Sequence, residues 1–191
     1  MRLYLLLAAS LAVASCKPVT REERIVGINI DSLLNHHAGQ LKQRQPGLYK
    51  ITSINGSIQE SELQPASVDW ARELESFRAL AQINKATDAR QYEIKEQRDQ
   101  ESNLMVKTWT AVGVAPVRLV EVYYMKKPFQ VRRVRGVVEE RSLMFSSDKT
   151  LTLEFDILGQ NTLRSFEISG REKFIWNDDQ QHKIVAEIIS K

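Results

Sequence analysis

From residue 92 onward, apolar and polar positions alternate along the chain, the period-two signature of strands with one buried face. The clearest case sets Leu151, Leu153, Phe155 and Ile157 against Thr152, Glu154 and Asp156. The alternation predicts strands over 92–97, 104–111, 117–125, 130–139, 151–158, 162–169, 173–176 and 182–189. Turn residues separate them: Lys127-Pro128, Ser146-Ser147-Asp148, Gly159-Gln160-Asn161, Gly170 and Asn177-Asp178-Asp179. Short turns between consecutive strands favour an antiparallel meander, since parallel neighbours need long crossovers.

Before residue 92 the period is helical. Thr20 and Glu23 form a capping-box pattern, and Val26, Ile30, Leu33, Leu34, His37 and Leu41 recur on one face, predicting a helix over 20–45. Pro46-Gly47 ends it. A second helix is predicted over 67–84, set by Pro65 and Ser67, with Trp70, Leu74, Phe77, Leu80, Ala81 and Ile83 as its apolar stripe. That stripe reads as packing on the sheet in preference to gripping a partner or ligand. Between the helices the signals are mixed: Leu48, Tyr49 and Ile51 suit a short strand or turn, and Asn55-Gly56 a tight turn.

Helices followed by strands argue an α+β fold with segregated layers. The expected form is a twisted antiparallel meander of seven or eight strands packed on the amphipathic helix 67–84. Trp109, Phe155, Phe166, Phe174 and Trp176 are the expected core contributors. One domain is expected over 20–191, mainly helical over 20–90 and antiparallel sheet over 91–191.

The first sixteen residues have another texture. Met1-Arg2 is a positive start, Leu3 to Leu11 an apolar run, and Val13-Ala14-Ser15 a small-residue exit before Cys16. This is the order of a secretory signal, and the run is too short for a membrane span of roughly 30 Å. Val13-Ala14-Ser15-Cys16 resembles the bacterial lipobox cleaved by signal peptidase II. The resemblance implies a signal peptide over 1–15, a diacylglyceryl thioether on Cys16 and an acylated new N-terminus. Residues 16–19 then form the lipidated cysteine and a short tether. Cys16 is the only cysteine, so no intramolecular disulfide can form, and lipidation consumes the leftover thiol. Each buried CH₂ contributes about 0.8 kcal/mol, and two or more acyl chains hold a protein stably on a bilayer. The chain as a whole resembles small single-domain envelope lipoproteins, a likeness carried by the lipobox, the tryptophan-bearing helix and the strand-rich end. Lys17 follows the cysteine where an aspartate would imply retention at the inner membrane, so the resemblance implies an outer-membrane lipoprotein facing the periplasm.

Charge and candidate chemistry change this picture little. Charged residues make up 27% of the chain, which suits a folded body, and loss of Arg2 with the signal lowers the formal net charge from +3 to +2. That excess does not indicate nucleic-acid binding. Lys126, Lys127, Arg132, Arg133 and Arg135, with Arg141 beyond, concentrate positive charge near one hairpin. They are a candidate membrane-surface patch; the alternative is an edge strand protected from aggregation by its charges. His36 and His37 diverge by about 100° on a helix and so cannot ligate one ion from one face. Asp178, Asp179 and His182 resemble a ligand set but fall in a predicted turn, where Asp is expected for backbone reasons. No nucleophile motif or phosphate-binding glycine loop occurs, and the neighbours Glu22-Glu23 and Glu139-Glu140 point apart. The expectation is therefore a protein that is not an enzyme and uses no cofactor or metal. Its partners would be the lipid bilayer through acylated Cys16 and another envelope protein that it binds or scaffolds. The rival reading is a lipid or hydrophobic-ligand carrier of the lipoprotein-sorting type, which requires an apolar cavity.

Overall fold

The computed structural model describes residues 27–85, 89–156, 162–176 and 178–189. Its centre is one nine-stranded antiparallel sheet in the order β2-β1-β9-β8-β7-β6-β5-β4-β3. The strands are β1 (Gly47–Ile54), β2 (Ser57–Leu63), β3 (Tyr92–Arg98), β4 (Met105–Ala111), β5 (Val117–Met125), β6 (Gln130–Arg141), β7 (Phe145–Phe155), β8 (Leu163–Phe174) and β9 (Gln180–Ile189). The fold is mainly sheet, with one more strand than the upper expectation of eight. Within region 20–90, expected to be mainly helical, β1 and β2 stand between the helical segments. They form a hairpin whose turn residues Asn55 and Gly56 both have positive φ, 49° and 84°, as an Asn-Gly hairpin turn requires. β1 then pairs with β9, joining the early part of the chain to its last strand.

This order forces a long crossing. β2 is one edge of the sheet and β3 the other, roughly 38 Å away at about 4.8 Å per strand. The strap that crosses runs through helix α2 (Trp70–Glu73) and the 3₁₀ stretch Glu75–Asn84. The predicted continuous helix 67–84 is thus broken at Leu74. Its apolar stripe is nevertheless the buried one: Trp70, Leu74, Phe77, Leu80, Ala81 and Ile83 all lie in the core. Phe77 meets Phe166 edge to face at 5.8 Å, and below the strap lie Val120, Val122, Val134, Leu151 and Leu153.

Helix α1 (Ile30–Arg44) lies beside the strap and antiparallel to it. Asn84 fixes one end, accepting from Ile30 N at 2.9 Å and donating to Ile28 O at 2.8 Å, while Arg78 donates to Asn35 at 3.0 Å. Within the described residues α1 starts later than expected. Asn29 is its cap, accepting from Ser32 N at 2.8 Å, and Gly27 and Ile28 stand outside the helix; Thr20 and Glu23 lie outside the described residues.

Three further expectations are corrected by register. Ser146, Ser147 and Asp148 are not a turn but the start of β7, paired with Lys173, Glu172 and Arg171. Gly170 does not end a strand: β8 runs through it, and the glycine admits close neighbours, since a Cβ there would lie 2.8 Å from Asp148 O and 2.9 Å from the His182 ring. Trp176 is no core residue but 70% exposed, and Phe174 is only half-buried, because β8 extends past the covered part of the sheet. Trp109, Phe155 and Phe166 are core as expected. Ile157, the turn at 159–161 and Asn177 lie outside the described residues.

Gly136 is where the strap and the sheet come closest. A Cβ there would fall 2.2 Å from Leu80 Cδ2 and 2.8 Å from Cδ1, and Leu80 is fully buried with no room to retreat. Gly136→Ala should therefore destabilise the protein by about 1–3 kcal/mol in urea unfolding. Because the clash is with Leu80 itself, the double variant with Leu80→Ala should lose clearly less than the two single losses combined. Additive losses would contradict this contact.

Candidate functional site

Cys16 lies outside the described residues. The basic residues of the β5–β6 hairpin lie within them, and the fold does not gather them into one open cationic patch. Arg133 and Arg135 point to the uncovered face of the sheet, where each meets a carboxylate from a neighbouring strand. Arg133 pairs with Glu154 at 2.5 Å and lies over the Tyr123 ring at 5.6 Å, and Arg135 pairs with Glu121 at 3.0 Å. Lys126 pairs with Glu96 at 3.2 Å, and Lys127 stands exposed in the turn. Arg132 is buried. Tyr123 faces Arg133 and Tyr124 faces Val131, so a bulge turns Arg132 out of the ladder. Its guanidinium donates to Asp156 O, to Gln130 Oε1 at 2.7 Å and to Met125 Sδ at 3.2 Å. Exposed pairs of this kind contribute about 0–1 kcal/mol each, so they fix charge balance more than stability.

The same end of this face carries a groove of about 690 Å³ whose charged lining is balanced: Arg132, Arg133 and Arg164 against Asp99, Glu101 and Glu154. Ser102 in its wall donates both N–H, at 2.9 Å, and Oγ–H, at 2.6 Å, to Asp99. That is a loop cap, and no histidine stands beside it to activate the hydroxyl; the groove suits polar contact more than nucleophilic chemistry.

On the covered face, Glu96 and Lys107 form a cross-strand pair that the sequence reading missed. Lys107 is 7% exposed, with Nζ 5.2 Å from the Trp109 ring centroid. Burial pulls its ammonium below the ordinary lysine range, against the attraction of Glu96. Burial pushes the Glu96 carboxyl up, but Tyr124, Lys126 and Lys107 outweigh it and hold the group below the usual range. Burial and the hydrogen bond to Glu96 push the Tyr124 phenol up to about 12. The signal was present in the alternation, which sets Lys107 on the face of Met105 and Trp109, and Glu96 on that of Tyr92 and Ile94. Lys107 is the buried charged member of the group, and Glu96 and Lys126 are its exposed charged members at the sheet margin.

Asp178, Asp179 and His182 do not form a ligand set. Asp179 pairs with Arg171 and Lys173, while the His182 ring packs on Gly170. Among the described residues no three His, Cys, Asp or Glu side chains gather so as to hold a metal ion. His36 is exposed and His37 buried, as their divergence on the helix requires.

His37 is 2% exposed, against Phe155 at 4.7 Å between ring centroids, and neither ring nitrogen has a hydrogen-bond partner. Burial, then the neighbouring His36, lowers its pKa to about 4, Gln40 opposing weakly. In the unfolded chain the group protonates near 6.5, so between pH 6.5 and 4 the unfolded state takes up a proton that the folded site refuses. Stability should fall across that window, by up to about 3 kcal/mol from this residue. His37→Leu should flatten the difference, as urea midpoints at a series of pH values would show; parallel pH curves for both proteins would contradict it. No family model matches the chain, and no curated protein or solved structure matches it either.

Proposed function

We propose that the chain is a non-catalytic envelope lipoprotein. Acylated Cys16 holds it on the outer membrane, and the β-rich body faces the periplasm, where it binds or scaffolds another envelope component. The carrying observation is the run from Met1-Arg2 through the apolar stretch to Val13-Ala14-Ser15-Cys16, ending on the chain's only cysteine. Among the described residues no helix is long and apolar enough to cross a membrane, so the lipid is the anchor this reading relies on.

The carrier alternative finds less support. The residues that would have to line its cavity, Trp70, Leu74 and Phe77, are at most 4% exposed and fill the space between strap and sheet. Beside them, a cleft of about 430 Å³ sets Lys50, Asp69, Arg72 and Glu73 against Leu63, Phe166, Ile168 and Ile184, a mixed lining and not the wholly apolar cavity a lipid carrier requires. An enzymatic reading would need Asp178, Asp179 and His182 to converge, and Asp179 instead pairs with Arg171 and Lys173.

Cys16→Ser is expected to leave the folded body unchanged, since position 16 precedes every strand and helix described. The variant should appear in the soluble periplasmic fraction or remain as uncleaved precursor, while wild type partitions into detergent. Membrane retention of a processed Cys16→Ser protein would refute the anchor. For the binding role, a pull-down from solubilised envelope with the anchor intact should enrich a partner, and repeated failure to do so would count against it.

A further inference from the structure

We propose that the paired tips of the β6–β7 and β8–β9 hairpins form an apolar apex that dips into the surface of the bilayer carrying the protein. The antiparallel order places four hairpin tips at one end of the sheet: β1–β2, β8–β9, β6–β7 and β4–β5, side by side. The inner two stand tallest. Asn55, in the β1–β2 turn, bonds to Gln181, which faces Arg171; Arg171 faces Asp148, and Asp148 faces Glu139, whose N–H donates to Pro116 O beside the β4–β5 turn. Beyond that level β6 continues to Arg141 and β8 to Phe174 before their turns, while the outer hairpins are already turning.

The two tall tips are joined. Ile175 N donates to Met144 O at 3.2 Å, and the Phe145 and Phe174 rings meet beneath, tilted by 42° at 4.9 Å between centroids. Above that joint Leu143, Met144, Ile175 and Trp176 are 94, 57, 70 and 70% exposed. They project from the tall end of the sheet. Arg141 and Lys173 sit two residues below, about 7 Å at strand rise. Their side chains are 73 and 67% exposed, against 33 and 27% for the carboxylates they face, Glu139 and Asp179. Glu140 and Asp178 are exposed near the same level. Apolar tips reaching 5–10 Å beyond a level of mixed charge match the headgroup–acyl boundary of a bilayer, where Arg141 and Lys173 can meet lipid phosphates and tryptophan favours the depth.

Reach agrees with this. Cys16 and Gly27 are eleven residues apart, a span of up to about 36 Å. From Gly136, under the strap that holds Ile28, to the apex at Leu143 is about 24 Å along the strand. Anchor and apex can therefore engage one membrane.

The inference rests on the lipoprotein reading for delivery to the bilayer, and the test separates the two. Full acylated protein is reconstituted into phosphatidylethanolamine–phosphatidylglycerol vesicles containing brominated lipid, and flotation is scored alongside tryptophan emission. Trp70 and Trp109 are buried, so the quenchable signal belongs to Trp176. Bromolipid should quench it, Trp176→Phe should remove the quenching, and Leu143→Asp with Met144→Asp should abolish it while flotation persists. Protein that floats with Trp176 unquenched overturns the apex and leaves the anchor standing. Protein that does not float overturns both. Trp176 shielded from aqueous iodide yet unquenched by bromolipid assigns the tips to a protein partner or a second copy, and also overturns the proposal.

Discussion

A single-layer sheet of nine strands cannot bury its apolar side chains by itself, and the strap between its two edge strands is what covers them. β2 ends at one margin and β3 begins at the other, so the intervening segment has to cross the face. The 3₁₀ stretch in it is wound more tightly than an α-helix and rises about 2.0 Å per residue against about 1.5 Å, which lengthens its reach. Phe77 and Leu80 are buried completely along that crossing. The contact is tight enough that Gly136 can hold no side chain beneath Leu80. Helix α1 then leans on the strap through Asn84 and Arg78, so its position depends on the crossing too.

The uncovered face and the margins follow from that one-sided cover. Both edge strands are almost wholly exposed and carry charge, Glu60 and Glu62 in β2, and Glu93, Lys95 and Arg98 in β3, which discourages pairing with other chains. The outer face is laced by ion pairs between neighbouring strands, such as Arg133–Glu154 and Lys183–Glu167. With one face covered and the other balanced in charge, exposed apolar side chains remain on the edge strands, as Ile58 and Ile94, and at the ends of the strands. At the tall end that surface is Leu143, Met144, Ile175 and Trp176.

Much of this was legible in the chain. Helical spacing from Trp70 to Ile83 marked the buried side of the strap, and alternation placed β4 to β6 within a few residues, because one buried face stamps that pattern on a strand. β2 escaped notice since an edge strand wet on both faces has no such pattern; only Asn55-Gly56 announced its hairpin. Gly170 and Ser146-Ser147-Asp148 read as turns by composition, whereas register shows a glycine making room for His182 and the polar start of β7, with Ser147 buried. The basic cluster was visible, but its partners Glu96, Glu121 and Glu154 come from other strands, and no local rule reveals a cross-strand register. The pairing of Glu96 with Lys107 was hidden for the same reason.

On the proposed reading, a body held by a lipid and presenting apolar hairpin tips beside it is suited to work at a membrane surface by contact. Everything in that picture about location descends from Cys16 and the residues before it. The most direct measurement is the intact mass of the wild-type protein extracted from membranes. The expected result is a mature chain beginning at Cys16 and carrying acyl mass; a chain beginning elsewhere, or an unmodified Cys16 thiol, would contradict it.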